Sequence, residues 1–79
     1  MVDVKIPKMG MSTVEVDVMK WFVAAGDKVS VGMPLVEIES EKAAMEIEAE
    51  VAGTVTEIIV PEGETTEVGT VVCRIQEDP

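Results

Sequence analysis

Shifting the sequence by 37 positions lays Val18 on Val55, Val23 on Val60, Gly26 on Gly63, Val31 on Val68, Gly32 on Gly69 and Ile38 on Ile75. These are six identities in the 22 positions from 18 to 39, without a gap. Phe22 with Ile59, Asp27 with Glu64, Leu35 with Val72 and Val36 with Cys73 add chemically similar pairs. The glycine pairs carry most weight, because they put the same backbone turns at equivalent places. A repeat of this kind restricts the fold before any single residue is weighed.

The unit that repeats is made of short strands. Val2, Val4 and Ile6 alternate with Asp3 and Lys5 up to Pro7; Val14, Val16 and Val18 alternate before Trp21-Phe22-Val23; Val29 and Val31 follow the turn at Gly26-Asp27. After Gly53 come Val55, Ile58-Ile59-Val60, the turn at Pro61-Glu62-Gly63 (Pro second and Gly fourth, as in a type I turn), and Val71 to Ile75. Two copies of a four-strand unit imply an all-β chain with two sheets related by an approximate two-fold axis. A unit alone leaves an apolar face in water, so the two faces pack together. Residues 1–79 read as one domain, with Glu77-Asp78-Pro79 as the start of a linker.

The junction of the copies is the stretch from Leu35 to Val51. Val36 and Ile38 share one face before Lys42, and Met45, Ile47, Ala49 and Val51 share one after it. With Glu41 and Lys42 at a hairpin tip, Ile38 faces Met45 and Val36 faces Ile47, while Glu37, Glu39, Glu46 and Glu48 point outward. A slip of one residue reverses every side chain, so the pattern fixes the register. Residues 41–50 also hold good helix formers, with Ser40 as a cap, and local propensity alone does not choose. The repeat decides for strand. Position 42 shifted by 37 is 79, so two-fold symmetry sets the hairpin crest and the chain ends at opposite poles. The first copy has the longer connection between its first two strands, which places the surplus, residues 7–15, beside the Lys42 pole. Val36, Ile38, Met45, Ile47, Ile58, Val60, Val72 and Ile75 are the expected core.

The net charge is −10, with 16 acids against 6 bases. Such a surface repels nucleic acid and anionic membranes, which removes both from the expected partners. No apolar run is long enough to span a bilayer, and a cytoplasmic or organelle-matrix setting is expected. There is no His and no Tyr, and Cys73 is the one cysteine. It reads as a small buried hydrophobe. Carboxylates projecting from strands read as a solvated face, so no metal site is expected. Lys42 lacks the burial or like charge that lowers a Schiff-base lysine, since Glu39 and Glu41 flank it. Stand-alone catalysis is therefore not expected. Two roles for Lys42 stay open at this point: an ordinary turn residue, or an amine to which a cofactor is attached.

Glu39-Ser40-Glu41-Lys42-Ala43 resembles the Glu-Thr-Asp-Lys-Ala signature of lipoyl domains from 2-oxo acid dehydrogenase complexes. Ile6-Pro7-Lys8-Met9-Gly10, Lys20-Trp21-Phe22-Val23, Gly26-Asp27-Lys28-Val29 and Val60-Pro61-Glu62-Gly63 resemble family segments too. The resemblance implies a flattened barrel of two four-stranded antiparallel sheets with lipoate attached to Lys42. Glu39, Ser40, Glu41 and Ala43 would form the turn read by a lipoate ligase or lipoyl transferase. It implies a monomeric swinging-arm domain of a dihydrolipoamide acyltransferase. The dithiolane would take an acyl group from a thiamine diphosphate-dependent dehydrogenase, an acyltransferase core would pass it to coenzyme A, and a flavin-dependent dihydrolipoamide dehydrogenase would reoxidise the dithiol. The loop at 7–15 and the acidic hairpin flanks are the expected partner surface.

Two departures accompany the likeness. Ser40 and Glu41 replace the commoner Thr and Asp, and Val16 follows Glu15 where the family often has Gly. A biotinyl carrier shares this fold but brackets its lysine with methionines, whereas Lys42 has Glu41 and Ala43. The glycine-cleavage carrier has a related motif in a longer domain, and an unmodified interaction barrel is the remaining alternative.

Overall fold

The computed structural model describes residues 1–8, 15–41 and 43–79. Its eight elements are all strands: β1 (Val2–Lys5), β2 (Glu15–Trp21), β3 (Lys28–Val29), β4 (Pro34–Glu39), β5 (Ala44–Glu48), β6 (Gly53–Ile58), β7 (Thr65–Glu67) and β8 (Val71–Glu77). They form two four-stranded antiparallel sheets, β1-β8-β6-β3 and β5-β4-β2-β7. Exchanging the copies turns one order into the other, so the repeat is a structural two-fold. The copies are not one sheet each, however. Each sheet takes two strands from either copy, a pairing that a repeat in sequence does not specify.

The symmetry reaches individual hydrogen bonds. The Gly26 N–H donates to the Val55 carbonyl (2.7 Å) and the Val55 N–H to the Asp27 carbonyl (2.9 Å). Thirty-seven residues away, Gly63 donates to Val18 (2.8 Å) and Val18 to Glu64 (2.9 Å). Gly26 and Gly63 have φ of 97° and 87°, a left-handed conformation that a Cβ disfavours. The second turn runs one residue later than expected. The Glu64 N–H faces the Pro61 carbonyl (3.4 Å), which puts Gly63 third with positive φ, the type II pattern.

Strand irregularities repeat as well. Pairing slips at Met19 on β2 and at Thr56 on β6, positions 37 apart. On β4 the slip falls at Leu35, and on the β1–β8 pairing it passes over Val72. These bulges break period-two alternation, which is why Leu35 and Val36, and Val72 and Cys73, are buried side by side.

Among the described residues fifteen apolar ones form the core between the sheets, with Val18, Leu35, Val36, Ile38, Val55, Val72, Cys73 and Ile75 at zero exposure. Seven of the eight expected core residues lie in this core or against it, Ile58 only partly buried. Met45 does not. It is 37 % exposed, because β5 is an edge strand and none of the described residues covers its outer rim. Glu77, read as the first residue of a linker, belongs to β8 and pairs with Gly53, and the Asp78 N–H donates to the Ala52 carbonyl (2.9 Å) just beyond the strand.

Gly53 explains the departure at Val16, its equivalent in the first copy. A Cβ on Gly53 would collide with the Gln76 carbonyl across the β6–β8 pairing. In the first copy the matching pairing stops at Asp17–Glu39, since the chain turns at Ser40, and Val16 is buried without penalty. Gly53→Ala should therefore lower the urea-unfolding free energy by about 1–3 kcal/mol, the cost of overpacking a closed site. Ile38→Ala, which empties a fully buried position, should cost about 2–5 kcal/mol.

Candidate functional site

β4 and β5 pair as Ile38 with Met45, Val36 with Ile47, Glu37 with Glu46 and Glu39 with Ala44, the register expected from alternation. Beyond Glu39 the Ser40 N–H donates to the Ala43 carbonyl at 2.7 Å. The Ser40 hydroxyl donates to that carbonyl and accepts from the Ala43 N–H, both at 3.2 Å. Three contacts between Ser40 and Ala43 thus close the hairpin beneath its tip. Ser40 suits this place because a short hydroxyl side chain reaches backbone groups a few residues away. Glu39, Glu41 and Ala43 are exposed and Ser40 is half-buried. Lys42 itself lies outside the described residues.

The tip sits at one pole of the body. β5 leads away from it over Ala44–Glu48, about 15 Å at the usual strand rise, before the chain reaches Ala52 and its bond to Asp78. The chain ends and the hairpin are therefore at opposite poles, as the two-fold requires. The connection from β1 to β2 starts and ends at the hairpin pole: Ile6 exchanges bonds of 3.0 Å with Thr70 and Gly69, and Glu15 lies beyond the Asp17–Glu39 pair. Ile6 is the counterpart of Ala49, which exchanges bonds with Gly32 and Met33, an offset of 43 against 37 elsewhere. The six surplus residues lie in this connection, whose residues 9–14 are outside the described set.

Charge separates the two outer faces. On the β1-β8-β6-β3 sheet Arg74 sits between Asp3 (3.2 Å) and Glu57 (3.3 Å), and Lys28 pairs with Asp78 (2.9 Å). On the other sheet like charges stand directly opposed: Asp17 to Glu39, Glu37 to Glu46, Glu15 to Glu67. Opposed like charges weaken a sheet, and here Lys20 opposite Glu37 and the Thr65 hydroxyl, which donates to Asp17 (2.6 Å), offset them only in part. The acidic flanks were legible from alternation. The addition of Glu15 and Asp17 was not, because spacing does not reveal that β2 lies beside β4.

Residues 2–75 match the protein family described as biotin-requiring enzyme. The chain is 42% identical over 73 residues to the dihydrolipoyllysine-residue acetyltransferase component of the pyruvate dehydrogenase complex of Corynebacterium glutamicum, covering 92% of this chain and 11% of that one. It is 38% identical over 71 residues to the lipoamide acyltransferase component of the branched-chain alpha-keto acid dehydrogenase complex of Bacillus subtilis, covering 90% and 17%. The solution structure of the lipoyl domain of the 2-oxoglutarate dehydrogenase complex from Azotobacter vinelandii superposes with a TM-score of 0.83 at 30% identity, over the whole of both chains. The chain belongs to the biotinyl–lipoyl family of carrier domains. It spans less than a fifth of the curated relatives named here.

A lipoyl-type carrier works by thiol chemistry, and this domain keeps its own thiol out of it. Cys73 is fully buried, and burial pushes it up from 9.0 to about 11. Thiolate is the exchanging species, so Cys73 is inert at neutral pH. In the unfolded chain the thiol ionises near its ordinary value while the folded one stays neutral. Folding is therefore disfavoured as pH rises from 9.0 towards about 11. Urea unfolding across that window should show a loss of about 2 kcal/mol that Cys73→Val lacks. At pH 8 the folded protein should leave an aromatic disulfide reagent unreacted until denaturant is added.

Proposed function

We propose that this domain carries lipoate in amide linkage to Lys42 and serves a 2-oxo acid dehydrogenase complex, as part of an acyltransferase chain. The carrier reading follows from family membership; the attachment residue rests on the hairpin. Ser40 and Ala43 close the turn that holds position 42, its neighbours Glu41 and Ala43 are exposed, and no second lysine lies in the β4–β5 hairpin. That closure is the observation that carries the assignment. When bound, lipoate supplies a disulfide that is opened reductively as an acyl group is taken up and is restored by oxidation.

The protein's contribution is positional. The Ser40–Ala43 closure joins two paired strands, so the base of the hairpin is braced on both sides. Glu39, Glu41 and Ala43, with Ser40 beneath them, are the surface a lipoate ligase or lipoyl transferase would read. The partners that follow are a thiamine diphosphate-dependent dehydrogenase, the acyltransferase core and a flavin-dependent dihydrolipoamide dehydrogenase. Tethering raises the concentration each of them meets. The setting we infer is bacterial or archaeal cytoplasm or the mitochondrial matrix, in keeping with Cys73 as a free thiol.

Co-expression with lipoate ligase, then with biotin ligase, followed by intact-mass measurement tests the assignment. A lipoyl increment that disappears in Lys42→Arg is expected, with thermal unfolding unchanged. A biotin increment, or a lipoyl increment that survives the substitution, refutes it. Ser40→Ala, which removes the hydroxyl bonds to Ala43, should slow lipoylation several-fold while costing about 1 kcal/mol or less in stability.

A further inference from the structure

The two sheets part along one side of the body. β1 and β5 are the edge strands there, and residues of both line the gap. Between them lies an open groove of about 840 Å³. Its floor is apolar, with Val4, Ile6, Ile47, Ala49 and Val51, and Met45 stands partly exposed at its hairpin end. Glu46, Glu48, Glu50 and Asp3 line it too, against the one base Lys5 among the described residues. Neither Glu41 nor Ala43 is among the lining residues.

We propose that this groove is a docking site for an extended segment of a partner protein with alternating apolar and basic residues, which adds as a strand to the free edge of β5. Three observations select that occupant. Among the described residues β5 is paired only with β4, so its outer backbone groups offer hydrogen bonds to an added strand. Side chains of such a strand alternate, one set over the apolar floor and the other beside Glu46 and Glu48. A second copy of this chain does not fit, because it would set glutamates against glutamates between two bodies of charge −10. Met45 suits the entrance, since an unbranched thioether side chain adapts to varied neighbours. Docking along the flank holds the domain while its hairpin tip stays outside the contact. The site is independent of the state of Lys42 and is tested on the unmodified chain.

The probe is a synthetic heptapeptide of alternating Lys and Val, titrated into the ¹⁵N-labelled 79-residue protein. Amide shifts should appear in Ala44–Glu48 and Val2–Lys5, with slowed hydrogen exchange in β5. A peptide of equal charge alternating Lys and Ser should bind about tenfold more weakly, for want of apolar contact, and the double variant Glu46→Lys, Glu48→Lys should weaken the Lys–Val peptide about tenfold. The proposal is overturned by absence of shifts at millimolar peptide or by equal binding of the Lys–Ser peptide. Shifts over Glu15–Trp21 without protection in β5, or a dimer of the free protein in sedimentation, overturn it as well.

Discussion

Two crossed sets of backbone hydrogen bonds hold the molecule together as one object. Gly26 and Asp27 of the first copy clamp Val55 of the second, and Gly63 and Glu64 of the second clamp Val18 of the first. Both turns need a glycine at positive φ to aim the N–H groups at a strand of the opposite copy. Neither copy has a complete sheet without the other, and the buried layer of valines and isoleucines exists only between them. Half of this chain would expose its apolar face and its unpaired edges together, so unfolding is expected to be all-or-none.

The candidate site lies where that symmetry is broken. A perfect two-fold would give the molecule two equivalent poles. Here one pole carries the closed hairpin between the copies and the longer β1–β2 connection, and the other carries the chain ends. The face beside the hairpin collects opposed carboxylates, whereas the opposite face neutralises its charges around Arg74 and Lys28. Family chemistry therefore sits on a body whose two sheets share a backbone plan and differ in what they present.

Much of this was legible in the sequence, because backbone requirements and burial leave local marks. The glycine pairs showed the turns, and alternation from Val36 to Ile47 gave a register that the pairing reproduces. Other features leave no such mark. Alternation turns Met45 inward, but whether anything covers an inward residue depends on the width of the opposite sheet, and β5 lies at the rim. Bulges at Met19 and Leu35 and their counterparts blur the apolar runs, so inward and outward positions there were not separable by period. The interleaving of the copies, and with it the approach of Asp17 to Glu39, depends on pairing between distant strands. The Gly53–Val16 difference likewise rests on distant strands, since Gln76 approaches Gly53 whereas the chain turns at Ser40 and leaves Val16 clear.

The opposite placement of Asp78 and the Ser40–Ala43 closure has a mechanical meaning. A body gripped at Asp78 behaves as a lever: small rotations at the grip become wide arcs at the hairpin. The length of β5, about 15 Å, sets the reach of that lever. The stiffness of paired strands thus enlarges the volume that the tip explores without any loosening of the fold.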